Sequence, residues 1–381
     1  MSRAAPDRID PPAPEFLSGP MSSLVDLVRM VSAFAVVVYH SLGVGFHSGQ
    51  PYVGPLGSHY AVVVFFVVSG LAVGTGASRP GTTLADYALA RAVRIMPVAL
   101  LAMALGLFVF ALRGPVPVIE PYRGHETLTW HSVIDPLLFM TESAHGQLPV
   151  WNAPWWSLSY EVWYYALFGV ALFLQGSRRL IWLLALGWLA GPQILLLMPI
   201  WLMGAMLARS PRLVNLPRRA GTGLLIAGLA TFLLARTVDM PALAWLQVRT
   251  PIPLVNSQNV IGNTLVGLAV TLGLAGARPW LPLLARPVGL AAPALRWGAG
   301  MTFTAYLTHQ PLIAFACSWG IVAPAGVPGA VLALVGILAV CALLASLCER
   351  RSPALRRSAQ RWLARVYRRE GQPPAVGPLP A

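Results

Sequence analysis

Six side chains carry most of the chemistry this sequence offers: Arg29, His40, Arg91, Arg94, Glu161 and His309. Each lies in or beside an apolar run long enough to be a membrane span. An ionisable group inside a bilayer is costly, so it faces a partner or a polar chamber rather than lipid. Arg29 and His40 stand eleven residues apart in LVDLVRMVSAFAVVVYHSLG. Eleven residues are close to three helical turns, which puts both side chains on one face about 16 Å apart. A fixed cation and a titratable imidazole on one face suit an anion site and a general base. A lone histidine in a span also suits simple packing between helices, and the same alternative stands beside each of the others.

Glu161 lies about five residues inside the outer boundary of the run WNAPWWSLSYEVWYYALF, and His40 about six residues inside the same boundary. At 1.5 Å per residue both fall within about 10 Å of the outer surface. A histidine and a glutamate at matched depth are candidates for a base and its orienter, or for a buried pair that fixes helix packing. Arg91 and Arg94 open the third span in RAVRIMP and, at i, i+3, share a face. Guanidinium forks match phosphate oxygens, although ordinary flanking charge looks the same. His309 precedes Pro311, which frees backbone carbonyls and bends the helix, so it is expected to line a cavity. Ser69-Gly70 in FFVVSGLAV reads first as small-residue packing, because no base is assigned to the serine. Trp151, Trp155, Trp156 and Trp163 suit an interfacial belt.

These groups need a membrane bundle to position them. Of the 381 residues, 56% are hydrophobic and only 10% are charged. A soluble domain carries about 25% charged residues, so lipid must solvate most of this chain. Spans of about 20 apolar residues are read at 24–46, 59–77, 93–112, 156–174, 180–190, 194–208, 221–238, 258–275, 298–322 and 328–348. The fifth and sixth are short, with Gly191-Pro192 between them, and could instead be one. Charge decides the count. Every basic residue is arginine, and ten spans with both termini cytoplasmic put 22 arginines inside against 4 outside, as cytoplasmic loops prefer. The expected fold is therefore an all-α polytopic bundle of about ten spans. Residues 1–23 form a disordered cytoplasmic tail, 24–348 the membrane domain, and 349–381 a basic cytoplasmic tail.

The first apolar run lacks a small-residue cleavage site, so it is expected to be a retained span rather than a signal peptide. The net charge of +14 is explained by arginines flanking spans and by anionic lipid, so no nucleic-acid partner is expected. The three cysteines show no metal-ligand spacing, and no metal is expected. One long outer loop, from Arg113 to about Pro154, carries Glu120, His125, Glu126, His131, Asp135, Glu142 and His145; a loop of that length is functional or disordered.

Five runs, taken in order, resemble the acyltransferase family 3 membrane proteins. They are Arg29…His40, the Phe65-Phe66-Val67-Val68-Ser69-Gly70 run, Arg91…Arg94-Ile95-Met96-Pro97, Trp156-Ser157-Leu158-Ser159-Tyr160-Glu161 and Tyr306-Leu307-Thr308-His309. The resemblance implies transfer of an acyl group, usually acetyl from acetyl-CoA, to a hydroxyl of a sugar or glycosylated acceptor. It implies an essential histidine at His40 and an arginine pair near the CoA phosphates. On that reading His40 and Glu161 are catalytic, and Arg29, Arg91 and Arg94 bind the donor. Ser69, Trp156, Tyr306 and His309 line the substrate cavity. The protein would lie in a bacterial inner or plasma membrane and resembles the form without a fused esterase-like domain. A transporter or flippase is the rival from another class, since its path would also need intramembrane Arg, His and Glu. Such proteins often carry inverted repeats, and none is visible here. A passive scaffold leaves the recurring polar groups unexplained.

Overall fold

A computed structural model describes residues 16–17, 19–43, 58–114, 127–143, 146–249, 256–319 and 326–369. The end of the first expected span, most of the expected N-terminal tail, and Glu120, His125, Glu126 and His145 of the outer loop lie outside these residues. The described secondary structure is all helical. In chain order it runs α1 (Pro20–Gly43), α2 (Ser58–Ala77), α3 (Leu84–Arg113), α4 (His131–Leu137), α5 (Trp155–Phe173), α6 (Gly176–Ala208) and α7 (Pro211–Val214). It continues with α8 (Arg218–Arg249), α9 (Val260–Ala277), α10 (Ala285–Ala299), α11 (Thr302–Ser318), α12 (Gly326–Leu347) and α13 (Ser352–Arg369).

Seven helices are long and apolar enough to cross a membrane by length and composition. Large apolar side chains on their outer faces are bare, among them Trp188 at 83% exposure and Leu343 at 65%. Patches of that kind need lipid rather than water against them. The chain is a multi-pass membrane protein. The difference from ten expected spans lies in three elements. Helix α5 is diluted by tyrosine, serine and Glu161, and α11 has only 17 residues. Helix α6 runs continuously through two of the expected spans. Inside α6 the backbone leaves the helical region at Gly191, with φ 80°, a conformation glycine adopts without strain. A Cβ placed on Gly187 would stand 3.9 Å from Leu195 Cδ1, against a rise of about 12 Å between those positions in a straight helix. Helix α6 is therefore kinked at Gly191-Pro192, where the two short expected spans meet.

The buried arm of α6 lies along α2 at very close range. A Cβ on Gly204 would stand 1.8 Å from the Val67 carbonyl oxygen, and one on Gly70 would stand 2.0 Å from that of Trp201. Only glycine permits this approach of two backbones, as in small-residue packing within membranes. Helix α3 begins at Leu84, nine residues before the apolar run expected to open it. Thr83 caps it, its hydroxyl accepting from Asp86 N at 3.1 Å. Arg91 and Arg94 thus sit about two turns inside a helix rather than at its mouth.

The basic segment after α12 is also structured. Glu349 accepts from Thr304 N and Oγ1 at 3.0 Å each, and Gln360 on α13 donates to Asp86 at 3.2 Å. These bonds hold the segment against the starts of α11 and α3, which a free tail would not do.

Candidate active site

Helices α1, α2, α3, α5 and α11 surround one cavity of about 700 Å³, counted with its mouth. Arg29, Ser69, Arg91, Arg94, Glu161 and Tyr306 all line it, together with Ser157, Tyr165, Thr302 and several apolar side chains. Its charged lining comprises three guanidinium groups and one carboxylate.

The carboxylate is hydrogen-bonded through one oxygen. Ser69 Oγ and Tyr165 OH both donate to Glu161 Oε1. Ser69 and Tyr165 are themselves 3.1 Å apart, and Trp201 Nε1 donates to Ser69 Oγ at 3.3 Å. Tyr165 follows Glu161 by four residues, so one helix face presents both. Ser69 reaches them because Gly70 lets α2 settle against the α6 backbone beside Trp201.

Two of the three guanidinium groups are left open. Arg29 donates to Thr302 Oγ1 at 3.2 Å and has Asp26 at 4.0 Å. Arg91 lies over the rings of Tyr165 and Tyr87, at 5.5 and 5.9 Å. Its Nε is buried without a hydrogen-bond partner. Among the described residues neither Arg91 nor Arg94 makes a hydrogen bond or an ion pair. Buried cations are normally paired, so this lining, with three guanidiniums to one carboxylate, has the chemistry to accept an anion.

His40 is not part of that lining. Its Nδ1 lies 2.7 Å from His309 Nε2, the two rings being within 6° of coplanar. His309 is fully buried, and its Nδ1 lies 2.9 Å from the carbonyl oxygen of Ala305. A carbonyl only accepts, so His309 Nδ1 carries a proton. With both rings neutral, His309 Nε2 must then accept, His40 Nδ1 must donate, and the lone pair of His40 lies on Nε2. Arg29 and His40 both meet α11, at Thr302 and His309, so the shared face of α1 expected from their spacing is the one that packs against α11.

Three site expectations change. Glu161 does not orient His40; its partners are Ser69 and Tyr165, and His309 holds the histidine instead. The two are also at different depths. Ser157 and Tyr306 meet at 2.7 Å between them. His309 lies three residues beyond Tyr306, and Glu161 four residues beyond Ser157 in the opposite direction, about 10 Å in all. The matched depth fails because α5 does not start at the surface: Trp155 is fully buried, bonded to the Pro136 carbonyl at 3.3 Å. Trp156 and His309 do not line the cavity. Trp156 stacks on His59 at 5.4 Å, and the ring of His309 is taken up by His40 and Ala305.

Sequence reasoning did not single out Thr302, Tyr165 or Ser157. Tyr165 had a usable signal in its i+4 spacing from Glu161. Thr302 and the pairing of two histidines 269 positions apart had none. Among the described residues no group of three or more His, Cys, Asp or Glu side chains is placed to hold a metal ion.

The comparisons bear on the whole of this arrangement. The model of the acyltransferase domain family matches residues 23–346, which include every residue that lines the cavity and both histidines. No curated protein and no solved structure matches the chain. The match spans most of the sequence, and the chain therefore belongs to acyltransferase family 3, as a membrane-embedded acyltransferase.

Proposed function

We propose that the protein moves an acyl group, acetyl in the first instance, from acyl-CoA to a hydroxyl of a carbohydrate or glycosylated acceptor. The observation that carries the donor assignment is the unpaired state of Arg91 and Arg94 in a cavity that also holds Arg29. CoA supplies phosphates for these guanidiniums, each bond being charge-assisted. The arginine-rich end of the bundle is the cytoplasmic one on the positive-inside rule, and CoA is a cytoplasmic compound. The membrane is the bacterial plasma membrane.

The pantetheine arm reaches past Glu161 towards Tyr306, whose ring lies 6.3 Å from that of His309. His40 Nε2 takes the proton of the acceptor hydroxyl. The oxygen attacks the thioester carbonyl, the C–S bond breaks, and the CoA thiolate leaves with the proton returned from His40. The products are an ester and free CoA. His309 holds His40 in the required tautomer, and the Nδ1–H···Nε2 bond strengthens while His40 carries positive charge. Glu161 partly balances the three cations and fixes the hydroxyls of Ser69 and Tyr165 in the wall beside the thioester.

The test is acetyl-CoA turnover and acceptor acetylation by the purified full chain, with mass spectrometry of glycans and secreted metabolites from cells with and without the gene. A lost acyl mass supports the reading. Uptake of a solute without chemical change would replace it with transport.

A further inference from the structure

Among the described residues, two buried polar atoms near the turn of α11 that carries His309 have no hydrogen-bond partner. Trp151 Nε1 is a donor and Asn152 Oδ1 an acceptor, both buried and unbonded. Asn152 is 0% exposed. Buried polar atoms are almost always paired, because an unmade bond costs the full desolvation of the group. A donor and an acceptor on adjacent residues match a ligand group that both accepts and donates, which describes a hydroxyl.

The backbone here is under strain. Trp151 has φ 58°, in the left-handed region that bulky residues rarely enter. Strain of this kind persists only where the surroundings enforce it, and it gathers at ligand sites. The enforcing bonds run to α11. Asn152 Nδ2 donates to the Leu307 carbonyl at 2.9 Å. That carbonyl is open because Pro311, four residues on, has no N–H to offer it. Ala153 N donates to Gln310 Oε1 at 2.5 Å, and Tyr306 OH donates to the Pro154 carbonyl at 3.3 Å. Leu307 and Gln310 bracket His309. The two unpaired atoms are therefore fixed against the turn of α11 that carries the histidine, on the far side of Tyr306 from the arginine cavity.

We infer that Trp151 Nε1 and Asn152 Oδ1 form the acceptor subsite and hold a hydroxyl of a polyol such as a sugar, next to the one His40 deprotonates. This rests on the acyl-transfer reading above and adds where and how the acceptor binds. Anchored to α11 by bonds that each join a side chain to the main chain, the subsite keeps a fixed distance from His309 and so from His40.

The test uses the full chain in detergent with radiolabelled acetyl-CoA. Methyl glycosides of glucose, galactose and N-acetylglucosamine serve as acceptor probes, and acetyl-CoA hydrolysis without acceptor is the second readout. Trp151→Phe keeps the ring and removes only the N–H. It should raise the KM of the best probe about tenfold, the effect of one lost hydrogen bond. The donor KM and acceptor-free hydrolysis should not move. Trp163→Phe, which loses an indole bond to the Phe139 carbonyl elsewhere in the same loop region, should change neither. An unchanged acceptor KM in Trp151→Phe overturns the subsite, and so does a parallel fall of hydrolysis and transfer. A wild type that hydrolyses acetyl-CoA but acetylates none of the probes also overturns it while leaving the donor reading intact. A wild type that does neither overturns the donor reading itself.

Discussion

Helices α1 and α11 meet at two levels, and the two meetings are built differently. At the arginine-rich level Arg29 touches Thr302 on the wall of a cavity whose other cations, Arg91 and Arg94, have no hydrogen-bond partner. At the other level His40 and His309 form a directional pair, closed behind by the Ala305 carbonyl. The lower level keeps charge unspent, which is what a binding site for phosphates requires. The upper level assigns a tautomer, which is what a base requires. On the proposed reading, binding and chemistry are separated along one pair of helices, with the Tyr306–Ser157 contact between them.

Substitutions should split along that line. The largest effect is expected for His40→Ala, which removes the base and leaves the arginine cavity whole. Its kcat should fall at least about 100-fold, at the low end for lost general base catalysis, with the donor KM unchanged. Initial rates of CoA release at varied acetyl-CoA read both constants. A variant with normal kcat would remove His40 from the chemistry.

Next in size are Arg91→Ala and Arg94→Ala. Each should raise the donor KM by roughly 10- to 100-fold, since a hydrogen bond to a charged group contributes about 1.5–3 kcal/mol. The kcat at saturating donor should stay near that of the wild type. If either variant lowers kcat and spares KM, the two levels are not separate, and that arginine acts in the transition state instead.

How much of this was legible in the sequence depends on which forces fix each residue. Lipid solvation wrote the spans into composition, and helix periodicity put Arg29 and His40 on one face. The depth of Glu161 was misread because a tryptophan-rich helix start looks interfacial, whereas the segment before Trp155 is drawn into the bundle by Asn152 and Gln310. The partner of His40 was not legible, since no spacing rule links residues 40 and 309. The kink at Gly191 was half visible: glycine followed by proline marks a break, but only the structure shows both halves joined in one bent helix.

A smaller effect should come from the packing beneath the site. Gly204→Ala puts a methyl 1.8 Å from the Val67 carbonyl oxygen. The α2–α6 contact must open, at about 1–3 kcal/mol for overpacking of this kind. Thermal unfolding in detergent should shift down. Because α2 carries Ser69 and α6 carries Trp201, donor KM should rise too, while the His40–His309 pair on α1 and α11 is untouched. Loss of kcat with unchanged KM would show that the packing serves the upper level instead.

The smallest effect is expected outside the cavity lining and the histidine pair, at Glu142 in the loop before α5. This carboxyl is 8% exposed, and it accepts from Asn256 at 3.0 Å and from Tyr160 at 3.1 Å. Burial pushes its pKa above the usual carboxylate value, and the bonds from Asn256 and Tyr160 pull it back only in part. A carboxyl with a raised folded pKa stabilises the fold fully below its unfolded pKa, and that contribution is lost as pH rises through the folded one. Glu142→Gln keeps the shape and cannot titrate. It should flatten the pH dependence of the melting temperature from the ordinary carboxylate range upward. It should leave the pH profile of kcat in place, because on the proposed reading that profile belongs to the histidine pair. If the kcat profile moved with Glu142→Gln, the outer loop would be coupled electrostatically to the upper level, and the separation between anchoring and chemistry would not hold.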